Sequence, residues 1–299
     1  MSEQEVVIRC EDVVKRFGDR VALSGVSFEV HRGETMVLMG GSGCGKSTLL
    51  RMLTGGLKPD GGKIWLFGKE ISRLSEDELN DVRRRFGILF QSGALFNSMN
   101  VGENVALPLR EHTDLAEEII QIQIMLKLNQ VGLREHSSKM PGQLSGGMKK
   151  RAGLARALAL DPELLFYDEP SAGLDPVTSA QIDQLIVGLS RELGVTSIVV
   201  THEMDSAFAI ADRMAMLDKG KILKVETRQW FDDLRKTASV DELSDDDQLM
   251  RQFLRGDPEG PFAARRDVRT LEEDLLGASR PVLGLPSVEA TRIAARSKG

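Results

Sequence analysis

Apolar and polar positions alternate from the start of the chain. Val6, Ile8 and Cys10 alternate with Val7 and Arg9, and Val26, Phe28 and Val30 with Ser27 and Glu29, so residues 6 to 39 read as strands. The run Thr35-Met36-Val37-Leu38-Met39 lacks charge altogether, as expected of a strand buried on both faces. A helix is expected from Lys46 to Thr54, stopped by Gly55-Gly56. The turn Pro59 to Gly62 leads into the short strand Ile64 to Phe67, and Ser75 to Glu78 has capping-box spacing before a charged helix. Phe86 to Phe90 reads as another buried strand, ending at Gln91.

Residues 92 to 143 then show two or three helical patterns and no strand. Beyond Leu144 helix and strand alternate again: helix to Leu160, strand Leu164 to Asp168, helix Val177 to Leu193, strand Thr196 to Val200. In the Val177 helix, Ile182, Leu185, Ile186, Leu189 and Leu193 share one face. This alternation predicts an α/β fold with a mainly parallel sheet. From about Phe231 the chain turns polar. Asp245-Asp246-Asp247 precedes or caps a helix carrying Leu249, Phe253 and Leu254. Residues 256 to 299, with four prolines and balanced charge, read as a tail that is loose or ordered only by a partner.

At 299 residues and 41% hydrophobic the chain can bury a core, and a net charge of −6 argues against a basic nucleic-acid binder. Cys10 and Cys44 are the only cysteines, too few for a disulfide scaffold. The acidic start has no signal core, and no apolar run approaches the roughly 18 residues of a membrane helix. The expectation is a soluble cytoplasmic protein that relies on another chain for any membrane crossing.

Candidate chemistry begins at Gly40-Gly41-Ser42-Gly43-Cys44-Gly45-Lys46-Ser47, followed by Thr48, which fits G-x-x-x-x-G-K-[ST] between a buried strand and a helix. Glycines let successive N–H groups turn around an anion, and the helix terminus adds a favourable dipole. Lys46 can reach the β- and γ-phosphates and the Ser47 hydroxyl can ligate Mg²⁺. Cys44 is either a small residue at a permissive position or a thiol activated by the helix terminus. Leu164 to Tyr167 lead into Asp168 and Glu169, the arrangement of a Walker B strand. There Asp168 can support Mg²⁺ and Glu169 can act as general base toward water.

Leu144-Ser145-Gly146-Gly147-Met148, about 20 residues before Asp168, resembles with the phosphate loop the signature of the ATP-binding cassette (ABC) ATPases. Other stations match in order over residues 6 to about 226. Phe17 stands where the family stacks an aromatic on adenine. Gln91 matches the Q-loop glutamine that reaches metal and γ-phosphate, Ser171 to Asp175 the D-loop, and His202 the switch histidine. Methionine at 148, where glutamine is commoner, leaves the serine and glycines untouched. The resemblance implies an ABC-type P-loop NTPase core with an N-terminal antiparallel β subdomain and an inserted helical subdomain at about 92–160, the whole ATPase domain spanning 1–230. It implies ATP and Mg²⁺ as ligands, and a homodimer in which Ser145, Gly146 and Gly147 contact the γ-phosphate held by the other subunit. It also implies that an extension at 231–255 reaches across to the other protomer.

Gln91 to Phe96, Glu103 to His112, the methionine at 148 and Phe253 to Pro261 look like the ATPase of Mla-type lipid transporters. That resemblance implies phospholipid movement between inner and outer membranes, powered from the cytoplasmic side of the inner membrane. The implied partners are a membrane permease dimer, a periplasmic MCE protein and, in many systems, a small STAS-domain subunit. Another importer, for amino acids for example, is the alternative. A DNA- or ribosome-directed ABC ATPase fits less well, since no second cassette, coiled coil or basic insertion is present. Within the insertion, Leu95-Phe96 and Val105 to Leu109 suit either a groove for the permease or the subdomain's own core.

Overall fold

The computed structural model describes residues 5–238 and 243–261, which divide between a unit ending at Ser239 and a second beginning at Val240. In the first unit, β1 (Val6–Phe17), β2 (Arg20–His31), β4 (Gly61–Leu66) and β5 (Lys69–Glu70) form an antiparallel sheet in the order β2-β1-β4-β5. β3 (Thr35–Met39) follows β2 but joins a different sheet. It pairs in parallel with β8 (Thr196–Val200), which pairs with β7 (Leu164–Asp168), which pairs with β6 (Phe86–Leu89). β9 (Arg213–Asp218) flanks β3 on the other side and carries the antiparallel β10 (Lys221–Thr227), giving β10-β9-β3-β8-β7-β6.

The reading as a mainly parallel α/β core is correct, and the uncharged β3 run is buried along its whole length. α1 (Lys46–Leu53) buries Leu49, Leu50, Met52 and Leu53 in one apolar cluster with the inner face of the antiparallel sheet and with β3, β7 and β8. Phe86 and Phe166 meet edge to face in the same cluster, 5.2 Å between centroids. α2 (Glu76–Arg83) starts with the expected box: Ser75 Oγ accepts from the Glu78 amide and the Glu78 carboxylate accepts from the Ser75 amide.

Two points differ from the sequence reading. The hairpin β9–β10 and the helices α7 (Met204–Ile210) and α8 (Arg228–Lys236) were not anticipated, and β9 is an interior strand of the main sheet. Phe231, at which the chain turns polar, is itself completely buried in α8 with Leu234 beside it. On α6 (Pro176–Leu193) the buried face is Ile182, Asp183, Ile186 and Leu189, while Leu193 is exposed. In the second unit α9 (Asp245–Arg255) is capped by Ser244 Oγ, which accepts from the Asp247 amide, and the helix stops at a left-handed Gly256. The triple aspartate is therefore its first turn, where negative charge meets the positive end of the helix dipole. Most of the expected tail, beyond residue 261, lies outside the described residues.

The insertion after Gln91 is helical, as expected: α3 (Val101–His112), α4 (Glu117–Gln130) and α5 (Gly146–Ala157). Val105, Ala106 and Leu109 are its own core, whereas Phe96 is half exposed. A buried asparagine anchors the segment leading into α3. Asn104 Oδ1 accepts from the Phe96 amide at 2.8 Å, and its Nδ2 lies within 3.0–3.2 Å of the Phe96, Met99 and Asn100 carbonyls. Truncation would strand these buried groups, so Asn104→Ala should lower unfolding stability by about 1–3 kcal/mol in urea titration. Hydrogen exchange should speed up at the Phe96 amide ahead of the rest of α3.

Candidate nucleotide site

The carboxyl ends of three neighbouring strands build the site. Leu38 is in register with Val200 and Val200 with Asp168, so the segments leaving β3, β8 and β7 emerge side by side. The ladder runs on past the strand ends, with the Thr201 amide donating to the Leu38 carbonyl and the Glu169 amide to the Val200 carbonyl. Ligands of parallel sheets collect at this edge.

Two glycines of the loop after β3 leave no room for a side chain. A Cβ on Gly40 (φ +149°) would fall 2.1 Å from the Leu217 carbonyl oxygen, and one on Gly45 (φ +117°) 2.8 Å from that of Ala22. Gly45 caps α1 with no side-chain acceptor, so the amides of the first helical turn are left for an anion. Lys46 is buried and donates to the Gly40 and Gly41 carbonyls at 2.7 and 3.1 Å, arching back over the loop. Ser42, Gly43 and Ser47 lie on the exposed side, with Gly41 and Thr48 half-buried. Cys44 is buried, and burial pushes its thiol above the ordinary range despite the nearby Lys46 charge. That supports the small-residue reading over an activated thiol.

Opposite the loop, burial raises the Asp168 carboxyl, the Glu169 charge raises it further, and Lys46 pulls it back. Glu169 adopts a left-handed φ of +50°. Its Oε1 lies 2.9 Å from His202 Nδ1, while Oε2 is buried without a hydrogen-bond partner. His202 itself is largely exposed. Gln91 sits exposed just past β6, and the half-exposed Phe17 closes β1 with the Lys15 ammonium 5.6 Å from its ring centroid. Phe17 is thus no core aromatic.

A second helix N-terminus on the surface belongs to α5. Ser145 and Gly146 are exposed; Ser145 Oγ accepts from the Met148 amide at 3.3 Å. Gly147 has a packing reason to be glycine, since a Cβ there would fall 2.5 Å from Thr178 Cγ2 of α6. Asp175 caps α6, accepting from the Val177 and Thr178 amides at 3.1 and 3.0 Å, and these bonds with the Thr178 hydroxyl hold its carboxyl below the usual range. Two partners went unread in the sequence. Lys150 of α5 donates to the Glu169 and Ala172 carbonyls, and Asp183 of α6 accepts from the Ser171 and Ser206 hydroxyls. A lysine and an aspartate on buried helix stripes were the available signals.

For a divalent cation the candidate donors are the Ser47 hydroxyl, the Asp168 carboxylate and the Gln91 amide oxygen, hard oxygens that suit Mg²⁺. Among the described residues no group of three or more His, Cys, Asp or Glu could hold a metal on its own. This donor set fits a cation that takes its remaining oxygens from phosphate.

Residues 23–172 match the family profile described as ABC transporter. The chain is 41% identical to the intermembrane phospholipid transport system ATP-binding protein MlaF of Escherichia coli K12, over 93% of this chain and 100% of that protein. It is 40% identical to the probable ribonucleotide transport ATP-binding protein mkl of Mycobacterium leprae, over 95% of this chain and 80% of that one. Among solved structures, the ATP-binding cassette MJ0796, a dimer in a post-hydrolysis state with ADP and Pi, superposes with a TM-score of 0.68 at 32% identity, covering 74% of this chain and 98% of that one.

Both cysteines are buried, and burial raises both thiols. Iodoacetamide at neutral pH should therefore leave Cys10 and Cys44 unmodified in the native protein and label both after unfolding, as read by intact mass.

Proposed function

The chain belongs to the ABC transporter family, and we propose that it is the ATP-hydrolysing subunit of a transporter moving phospholipid between the inner and outer membranes. The observation that supports the catalytic half of this reading is the orphaned Glu169 Oε2 at the carboxyl end of β7, beside the phosphate loop. A buried carboxylate oxygen without a donor is suited to accept a proton from water. His202 holds the other oxygen, which sets the carboxylate's orientation and leaves Nε2 for a phosphate oxygen. The loop amides and Lys46 take the β- and γ-phosphates of ATP, and Phe17 offers an exposed face to adenine. Ser47, Asp168 and Gln91 would hold Mg²⁺, which neutralises phosphate charge when bound.

One chain carries one phosphate loop and one Ser145 terminus, so a complete site takes two copies. ABC cassettes work as dimers, and the similar MJ0796 cassette is dimeric. In the proposed homodimer Ser145, Gly146 and Gly147 of one subunit meet the γ-phosphate on the other, with Asp175 beside them. ATP then joins the halves and hydrolysis releases them, a ligand-driven population shift.

Among the described residues no helix is long and apolar enough to cross a membrane, and the proposed membrane path is a permease on another chain. A groove of about 560 Å³ between β6 and α3, lined by Phe90, Phe96, Leu107, Pro108, His112 and Arg156, is the proposed seat for its cytoplasmic helices. Phe90 and Phe96 are about half exposed there, and the groove directly follows Gln91. The chain would then sit peripherally on the cytoplasmic side of the inner membrane, in a complex with an MCE protein and in some systems a STAS-domain subunit. Phospholipid is favoured as cargo by the full-length similarity to MlaF together with the Gln91 to Phe96 and Glu103 to His112 segments. The mycobacterial relatives carry a ribonucleotide name. The nucleotide site does not distinguish one cargo from another, so reconstitution with the permease in lipid vesicles, scored for ATP-dependent phospholipid transfer against nucleotide uptake, decides between them.

Glu169→Gln should cut ATP turnover by about 10²–10⁴-fold while ATP binding survives. Phe96→Glu should abolish transport in the reconstituted complex and leave the ATPase of the isolated subunit near wild type.

A further inference from the structure

We propose that Lys150 is a positioning residue for the general base of its own subunit, and that through it α5 ties that base to the anion-binding terminus offered to the other subunit. The inference rests on Glu169 being the base. Lys150 is only 4% exposed, and its ammonium donates to the carbonyl oxygens of Glu169 at 3.0 Å and Ala172 at 2.8 Å. No salt bridge among the described residues includes it. Burying an ammonium is costly, and an apolar side chain would fill the same space more cheaply. What the lysine adds is a pair of charge-assisted bonds to one short stretch of backbone.

That stretch contains the strained residue of the site. A left-handed φ at a glutamate costs on the order of 1–3 kcal/mol and persists only where the surroundings over-determine it. Glu169 is held from both sides: its amide donates to the Val200 carbonyl at 2.9 Å, and its carbonyl accepts from Lys150 at 3.0 Å and, less closely, from the Ala172 amide at 3.3 Å. Together these bonds fix the peptide planes on either side of its Cα, and hence where the carboxylate lies relative to His202. Without the ammonium, the Glu169 carbonyl keeps only the longer bond from the Ala172 amide, at 3.3 Å, and the turn can shift and swing the carboxylate away.

The same helix opens at Ser145, the N-cap of α5. Farther along, Arg156 donates to the Ala94 and Gly93 carbonyls at 2.8 and 3.2 Å, in the segment just after Gln91. One rigid element therefore carries the terminus that meets the partner's nucleotide, the backbone of its own base and the segment behind its own glutamine. A tilt of α5 on capturing nucleotide at Ser145 would be felt at Glu169 through Lys150.

The test is a double-mutant cycle on steady-state ATPase of the full-length protein with its permease, using Lys150→Met, Lys150→Arg, Glu169→Gln and Lys150→Met/Glu169→Gln. Lys150→Met should lower kcat by about 10- to 100-fold, the scale of an ångström's misplacement, with the KM for ATP within about threefold of wild type. Lys150→Arg, which keeps a charged donor, should recover most of the rate. In the Glu169→Gln background the Lys150→Met change should have almost no further effect, because the group it positions is gone. An equal loss in both backgrounds, or a raised KM at unchanged kcat, would overturn the proposal while leaving Glu169 as base. Wild-type turnover by Glu169→Gln would remove the base itself and the proposal with it. If Lys150→Met does not fold, Lys150→Gln takes its place in the same cycle and is scored by the same outcomes.

Discussion

Parallel pairing of β3, β8 and β7 in one register is the constraint on which everything else depends. Each strand contributes one chemical station just past its end: the phosphate loop after β3, Asp168 and Glu169 at the end of β7, His202 after β8. None of these is near another in sequence, and no local interaction would assemble them. They meet because three buried strands, Thr35–Met39, Leu164–Asp168 and Thr196–Val200, can satisfy their backbone groups only by pairing in a sheet, where β8 lies between β3 and β7. Burial on both faces explains why those strands are so uniformly apolar. It also explains why the polar chemistry starts within one or two residues of their ends.

The loops that carry the chemistry are fastened by buried polar side chains. Asn104 anchors the segment from Phe96 to Asn100. Lys150 anchors Glu169 and Ala172. Asp183 accepts from Ser171, two residues past Glu169, and from Ser206, at the start of the helix after His202. Burial raises the Asp183 carboxyl and the two hydroxyls pull it back, so this group binds its loops at a real desolvation cost. Such groups add little net stability compared with apolar replacements, but each admits only one arrangement of the loop it holds.

How far the sequence reveals this depends on the range of the interaction. The phosphate loop, the Asp168-Glu169 strand end and the Ser75 box are legible because their physics is local: glycine conformations, a helix terminus, an apolar run followed by carboxylates. Phe17 and His202 are legible only as members of an ordered set, since alone each resembles an ordinary surface residue. β9 escaped despite its buried run Met214 to Leu217, because insertion of a late strand beside β3 is a nonlocal pairing. Leu193 was placed on the buried face of α6 by periodicity, yet it lies in the last turn, beyond the part of the helix that the sheet covers. The buried face instead includes Asp183, which an apolar template passes over.

Within residues 92–143, the subdomain's own core and the groove proposed above for the permease are built from different residues. Val105, Ala106 and Leu109 point inward and make α3 a stable support. Phe96, Leu107 and Pro108 line the groove and keep apolar area available to a partner. Asn104 belongs with the first set by burial and with the second by what it fastens, because its side chain fixes the stretch that presents Phe96. A segment built this way can move as one piece, with the proposed docking groove at one end and Arg156 gripping the backbone behind Gln91 at the other. Rigid transmission of that kind needs no change inside the subdomain, only a change in how it sits against β6 and the nucleotide-binding edge of the sheet.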